Sequence, residues 1–429
     1  MKRQTPLVLQ LACTCTLLIV LNSCLKDNCR RTYTLMTPVY KTLTEARKNM
    51  KSSSPEALIN TGKIYIYGNY IFLNELNRGI HVIDNSQPAA PKNIGFINVP
   101  GNVDLAASGN FLYADSYGDL VTFDISNPKQ VVAKKFLDHI FPGGSIYYVG
   151  TSSNNPDSIK VIVDWIKRDT TVDCNSYDYL YRNYYAYGRA DMGGNFLSAA
   201  AAPGAQSAGS GGTGGSMARF TLLNQRLYTV TNSAINVIDV TSPQDPVLTK
   251  STNLGWNIET IYPFKNKLFI GSTGGMYVFD VSSPSSPTLM GQFSHATSCD
   301  PVIADDNFAY VTLRNGTSCR GNINRLDVVN IDNLLSPTLV QSYDMTNPRG
   351  LSKDKDLLFI CDGTGGLKVF NASNPRNVNL IKKIEGIGET YDVIAMDNRA
   401  LVVTKDGLYQ FDYSDPNNIK LISKISINK

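Results

Sequence analysis

Apolar positions along this chain fall in short runs separated by polar punctuation, and the segment 254–293 shows the unit most clearly. Ile258 to Phe264 reads as a strand broken by Lys265-Asn266-Lys267, and Leu268 to Ser272 as a second ended by Thr273-Gly274-Gly275. Met276 to Val281 makes a third, a Ser-Ser-Pro-Ser-Ser-Pro turn follows, and Thr288 to Phe293 makes a fourth. The runs are rich in β-branched and aromatic residues and bounded by Gly, Pro, Asn and Ser, the signature of short strands joined by turns. Segment 351–384 repeats the scheme, with Leu357 to Cys361, Gly363-Thr364-Gly365-Gly366, then Leu367 to Asn371. Long stretches of 3.6-residue periodicity do not occur, which argues against helical repeats.

The third strand of each unit closes on one phrase: an apolar run, Asp or Asn, Ser or Thr two residues on, and Pro four residues on. It occurs at Asp84 (Ser86, Pro88), Asp124 (Ser126, Pro128), Asp239 (Thr241, Pro243), Asp280 (Ser282, Pro284), Asn371 (Ser373, Pro375) and Asp412 (Ser414, Pro416). A seventh copy at Asn330 has Asp332 where Ser or Thr is usual, and lacks the proline at 334. Successive anchors are 40 residues apart from Asp84 to Asp124 and 41 from Asp239 to Asp280, Asn330 to Asn371 and Asn371 to Asp412. The Asp280 to Asn330 step is 50 residues, and the Asp124 to Asp239 step, 115, is close to three units.

A period near 40 residues holding four short strands is that of a propeller blade. The fold expected is therefore all-β, a β-propeller of four-stranded antiparallel blades. Counting anchors gives seven blades; counting first strands gives eight, with 138–217 as a divergent blade, and eight is preferred. That divergent stretch holds strand-like runs at Ser145 to Val149 and Ile159 to Lys167. The anchor has a structural job: a short polar side chain can bond the amides of the coming turn, and the later proline stops the strand. A catalytic role would require seven equivalent active sites.

Phrases such as Asn236-Val237-Ile238-Asp239-Val240-Thr241-Ser242-Pro243 resemble the LVIVD repeat of bacterial and archaeal surface proteins. The resemblance covers roughly 58–137 and 218–429. It implies a β-propeller in a cell-surface setting and carries no catalytic motif.

The chain opens with Lys2 and Arg3, an apolar stretch from Leu7 to Leu21, then Leu21-Asn22-Ser23-Cys24. This reads as a secretion signal over 1–23, too short for a comfortable membrane span. A Cys after a small residue resembles the bacterial lipobox, which implies that Cys24 is acylated and becomes the mature N-terminus. Leu25 in place of Asp implies export to the outer membrane of a Gram-negative bacterium, and Lys26-Asp27 resembles a tag for surface exposure. Residues 24–57 would then tether a propeller spanning 58–429.

Composition narrows the partners. A net charge of +4 is small for 429 residues, and its Lys and Arg are scattered, so nucleic acid is not implied. A monomer held at a membrane through its N-terminal lipid is expected. Of eight cysteines, Cys13 and Cys15 fall in the signal. In a compartment that permits disulfides, Cys299 and Cys319 are expected to pair, since both belong at one end of one blade. Connectivity of Cys29, Cys174 and Cys361 stays open. The histidines at 81, 139 and 295 are widely separated, and no metal, cofactor or catalytic residue is predicted. Asp305-Asp306-Asn307 sits where a hairpin turn belongs, and is read as a turn rather than a calcium site.

The distinctive non-repeat feature is a Tyr-rich segment with Tyr177, Tyr179, Tyr181, Tyr184, Tyr185 and Tyr187, leading into a Gly-, Ala- and Ser-rich stretch from Gly188 to Ser216. Aromatic faces carrying hydroxyls suit sugars or protein surfaces; equally, the rings can pack an insertion over a propeller face. The favoured function is a non-enzymatic binding module for a protein or glycan. The alternative is an enzyme acting on polysaccharide, with acidic residues near the central channel.

Overall fold

The computed structural model describes residues 30–141, 148–149, 156–173, 213–255, 257–295, 301–315 and 323–427. By contacts the chain divides into two units, residues 1–39 with 165–194 and residues 40–164 with 195–429. In the first unit, 30–39 and 165–173 belong to paired strands. Thr34 donates to Asp169 at 2.7 Å and the Thr32 and Thr171 hydroxyls meet at 2.7 Å.

The second unit is a seven-bladed β-propeller. Its blades span 61–98, 105–137, 220–253, 258–294, 302–344, 351–384 and 390–426, and each holds four consecutive antiparallel strands. The sequence reading is recovered closely: Ile258–Phe264, Leu357–Cys361 and Leu367–Asn371 are strands with the boundaries inferred from punctuation. The eighth blade does not exist among the described residues. Of the stretch 138–217, Tyr148–Val149 pairs with Lys160–Asp173, and Thr213–Gly214 pairs with Tyr65 and Ile66 of blade 1. Of the two strand-like runs read there, Tyr148–Val149 and Lys160–Asp173 are strand among the described residues, in a sheet that is not a four-stranded blade.

Burial explains the composition of each strand position. Second strands lie between neighbouring blades and are buried almost throughout, as in Tyr70–Glu75, whereas the outer strand Val247–Asn253 is nearly all exposed. A one-residue register shift occurs where the third strand meets the fourth in all seven blades. Such bulges sharpen the twist of an outer edge.

All seven anchors do the structural job expected of them. The Oδ1 of Asp84, Asp124, Asp239, Asp280, Asn330, Asn371 and Asp412 accepts the amide two residues on, at 2.7–3.1 Å. The amide and hydroxyl of that Ser or Thr hold Asp84, Asp124, Asp239, Asp280 and Asp412 below the usual carboxylate range. Three residues past each anchor, the carbonyl accepts the amide of the residue six past it, at 2.8–3.1 Å in every copy.

Ahead of blade 1, Thr42 and Glu45 form a capping box on the short helix Leu43–Lys48. Arg47 of that helix pairs with Asp119 at 2.7 Å and with Asp138. Ser52 and Ser53 then pair with Ile97 and Phe96 on the outer edge of blade 1. Residues 43–57, read as part of a tether, are thus docked on blades 1 and 2.

Candidate functional site

Strand pairing assigns two ends to each blade. One end carries the anchors and the first hairpin turn, since Asp84 faces Tyr70. The other carries the start of the inner strand and the link from second to third strand, since Thr61 faces Glu75 and Glu75 faces Gly79. Repeating residues occupy the first end and have structural work there. Non-repeating charged residues gather at the second, around the inner strands, and this is the candidate site.

One register position organises it. Five residues before the hairpin turns at Gly68, Gly109, Asn224, Lys265, Lys355 and Asp397 stand Lys63, Asp104, Arg219, Thr260, Gly350 and Asp392. Inner strands contact one another in sequence around the ring, so these positions approach their neighbours near the axis. Lys63 Nζ of blade 1 donates to Asp104 Oδ2 of blade 2 at 2.7 Å, with both side chains 3% exposed. The Arg219 amide, entering blade 3, donates to the same oxygen at 2.6 Å. Burial pushes the Lys63 ammonium down, opposed by Asp104. Gly350 lies against Asp392, where a Cβ would come within 2.1 Å of Oδ1.

Two further carboxylates fix the links between blades. Asp115 Oδ1 accepts the amides of Val103 and Asp104 and the Asn102 amide group, each at 2.8 Å. Burial pushes its carboxyl up to about 6. Glu75 accepts the amides of Ile59 and Asn60 and meets His81 Nε2 at 3.0 Å, so this histidine is a buried structural partner. On the far side, Arg349 pairs with Glu389 and lies 4.8 Å over the Tyr391 ring. Arg314 is within electrostatic reach of Arg349, Glu259 and Glu389; burial first and Arg349 second push its guanidinium down to about 10.

The axis itself is filled by the chain. Thr213 and Gly214 add a short strand to the inner edge of blade 1. Ser216, 1% exposed, accepts the Leu351 amide of blade 6 through Oγ at 2.7 Å. The Ala218 carbonyl accepts the Ile261 amide of blade 4 at 2.7 Å. Segment 213–219 therefore bonds the inner strands of three separated blades and takes the groups those edges would offer a ligand. Small residues at Gly214, Gly215, Ser216 and Ala218 ease this close approach to the inner strands, with Met217 buried among them. The sequence reading placed residues 213–216 at the end of the Gly-, Ala- and Ser-rich stretch. Its last residues instead plug the channel.

Other predicted site residues fall as follows. Cys24, the Cys299–Cys319 pair and Tyr177, Tyr179, Tyr181, Tyr184, Tyr185 and Tyr187 lie outside the described residues. Asp305 caps its own turn, accepting the amides of Asn307 and Phe308 at 3.1 and 2.9 Å. Cys361 is buried and free, and burial pushes its thiol well up, which makes it unreactive. The charged ring was missed, although counting back from each hairpin turn would have found it.

The model of the LVIVD repeat matches residues 60–99, 101–135, 266–295 and 298–345. The chain carries LVIVD repeats. These four stretches fall on blades 1, 2, 4 and 5, and the same anchor turn recurs in the other three blades. Among solved structures, this LVIVD-repeat propeller is similar to a protein from Lactobacillus plantarum, at 12% identity and a TM-score of 0.51, over 86% of this chain and 96% of that one. The periplasmic gluconolactonase PpgL of Pseudomonas aeruginosa is similar at 10% identity and 0.50, over 86% and 96%. BamB of Moraxella catarrhalis follows at 10% identity and 0.46, over 88% and 97%. No curated protein matches the sequence. Likeness at such identities concerns the fold alone.

Proposed function

We propose that this LVIVD-repeat propeller is a lipid-anchored surface module that binds a protein or glycan and performs no turnover. The observation that carries the reading is the occupied axis: segment 213–219 bonds blades 1, 4 and 6 where an axial catalytic cleft would need open edges. Acidic groups near the channel, which a glycosidase would use as a free carboxyl pair, are engaged in holding the fold: Asp104 by Lys63, Glu389 by Arg349, Asp115 by three donors. Binding is then the task of loops. The Tyr-rich segment is the candidate, and it falls within 174–212, outside the described residues. Cys24 supplies the membrane attachment, since acyl chains contribute about 0.8 kcal/mol per buried methylene.

The test replaces residues 174–212 with a short Gly-Ser linker and leaves 213–219 in place. Full-length and deleted proteins are compared on a glycan array and against candidate surface proteins, beside their thermal midpoints. Binding lost with an unchanged midpoint supports the reading. Binding retained by the deleted protein removes the Tyr-rich segment as the site. In parallel, Cys24→Ser should shift the protein from the detergent phase to the aqueous phase.

A further inference from the structure

At its anchor end blade 5 departs from its six sisters at three places, and all three line one groove. The first hairpin turn of the other blades carries a residue with positive φ, such as Gly68, Gly109, Asn224, Lys265, Lys355 or Asp397. Blade 5 instead has Asp305-Asp306-Asn307, held by the Asp305 carboxylate. Its anchor turn has Asp332 in the Ser/Thr position and Leu334 in the proline position. A groove of about 450 Å³ runs between blades 4 and 5 at this end, and Asp305, Asp306, Asn307, Asp332 and Leu334 all border it. The turn leans on blade 4 through Gly291, where a Cβ would come within 2.1 Å of the Leu334 carbonyl.

Repeats copied for stability alone have no reason to diverge together on one concave surface. The chemistry of the groove is also specific. Its floor is apolar, with half-buried Phe264 and Leu334 over buried Ile331. Its rim carries planar carboxylate and amide groups that are already engaged: Asp306 by Lys265, Asp305 by Lys353 at 3.0 Å, and Asp332 by the neutral amide groups of Asn307 and Asn330 at 2.6 and 2.7 Å. An ion would have to break these pairs. A neutral ring with one apolar face and hydroxyls at its edge needs only what the groove offers, stacking below and acceptors and donors around.

We propose that the groove between blades 4 and 5 is a binding site for a neutral saccharide unit. It goes beyond the function proposed above and stands apart from it, since the described residues that border the groove belong to blades 4 and 5. The turn hydrogen bond from Ser336 to Asn333 matches that of the six proline-bearing copies, so the backbone at 334 is already shaped for proline.

The experiment restores the repeat. Full-length protein in detergent, its D332S/L334P variant and the variant lacking 174–212 are titrated with methyl glucoside, methyl galactoside and diacetylchitobiose, followed by saturation-transfer NMR. At least one sugar should receive saturation from the wild-type chain and from the deleted one. In D332S/L334P that binding should weaken at least tenfold, with an equal or higher thermal midpoint. Absence of transfer from wild type to all three sugars overturns the proposal. So does transfer that persists undiminished in D332S/L334P, or that depends on 174–212 alone.

Discussion

Asp115 shows at the residue scale what the link between blades asks of one side chain. Its Oδ1 collects three donors from Asn102, Val103 and Asp104, and burial raises its carboxyl to about 6. A carboxyl raised on folding binds its proton more tightly in the native state, so this group makes stability fall as pH rises from about 4 to about 6. Asp115→Asn keeps the accepting oxygen and removes the charge. Its stability should therefore gain on wild type across that window, by up to about 3 kcal/mol above pH 6. Asp115→Ala strands three donors and should lose about 2–4 kcal/mol at pH 4, and because it removes the same titrating group this loss should shrink as pH rises through about 6. Denaturant titrations at pH 4 and pH 7.5 check both; an Asn variant that tracks wild type at the two pH values removes the assigned charge effect. The anchors were legible in sequence because each acts two residues away on its own turn, and Asn330 and Asn371 do so without charge. Asp115 was not, because its donors lie 11–13 residues back in a link that does not repeat.

Between elements, the repeated proline has a second use that spacing alone did not reveal. The sequence supports proline as a strand stop. The structure adds its carbonyl as a latch for the preceding blade: Tyr113 of blade 2 donates to Pro243 of blade 3 at 2.9 Å, and Tyr228 of blade 3 to Pro284 of blade 4 at 2.7 Å. Both tyrosines are the third residue of a second strand, buried on both sides, so the hydroxyl emerges only at the turn end. Tyr113→Phe and Tyr228→Phe should each cost about 1 kcal/mol, the net worth of one such bond. The two should add in the double variant, because the latches serve separate interfaces. Urea unfolding of the four proteins measures this, and a strongly non-additive double variant would mean that the interfaces communicate. Blade boundaries, turn positions and strand identity could all be read from punctuation. Contacts between blades could not, because their partners lie 56–130 residues apart with no shared local pattern.

At the scale of the whole molecule, closure of the ring is the step with no covalent help. Each blade uses four consecutive strands, so no strand is exchanged between blade 1 and blade 7. The seam is held by side chains: Ile64, Ile71, Leu73 and Ile83 pack with Ile394, Leu401, Val403 and Leu408. At its edge, Ser423 donates to the Pro88 carbonyl at 2.7 Å and Gln410 to Asn85 at 2.7 Å. Apart from the interface of blades 2 and 3, where 138–219 intervene, the other interfaces join blades linked by a few residues, so a weakened contact there is restored by a short tether. Across the seam the connection runs through the five blades between, and re-forming it costs more loop entropy. Leu401→Ala in the seam and Leu268→Ala between blades 3 and 4 remove similar buried volume, and each should cost about 2–5 kcal/mol globally. Their local effects should differ. In Leu401→Ala, amide hydrogen exchange should rise selectively at Thr61–Tyr67 and Thr390–Met396, the inner strands on either side of the seam. In Leu268→Ala protection should fall evenly, because the tethered blades separate only when the ring as a whole unfolds. Equal, uniform loss of protection in both variants would show that the seam is no weaker than the tethered interfaces, and that packing rather than chain connectivity sets where the propeller opens.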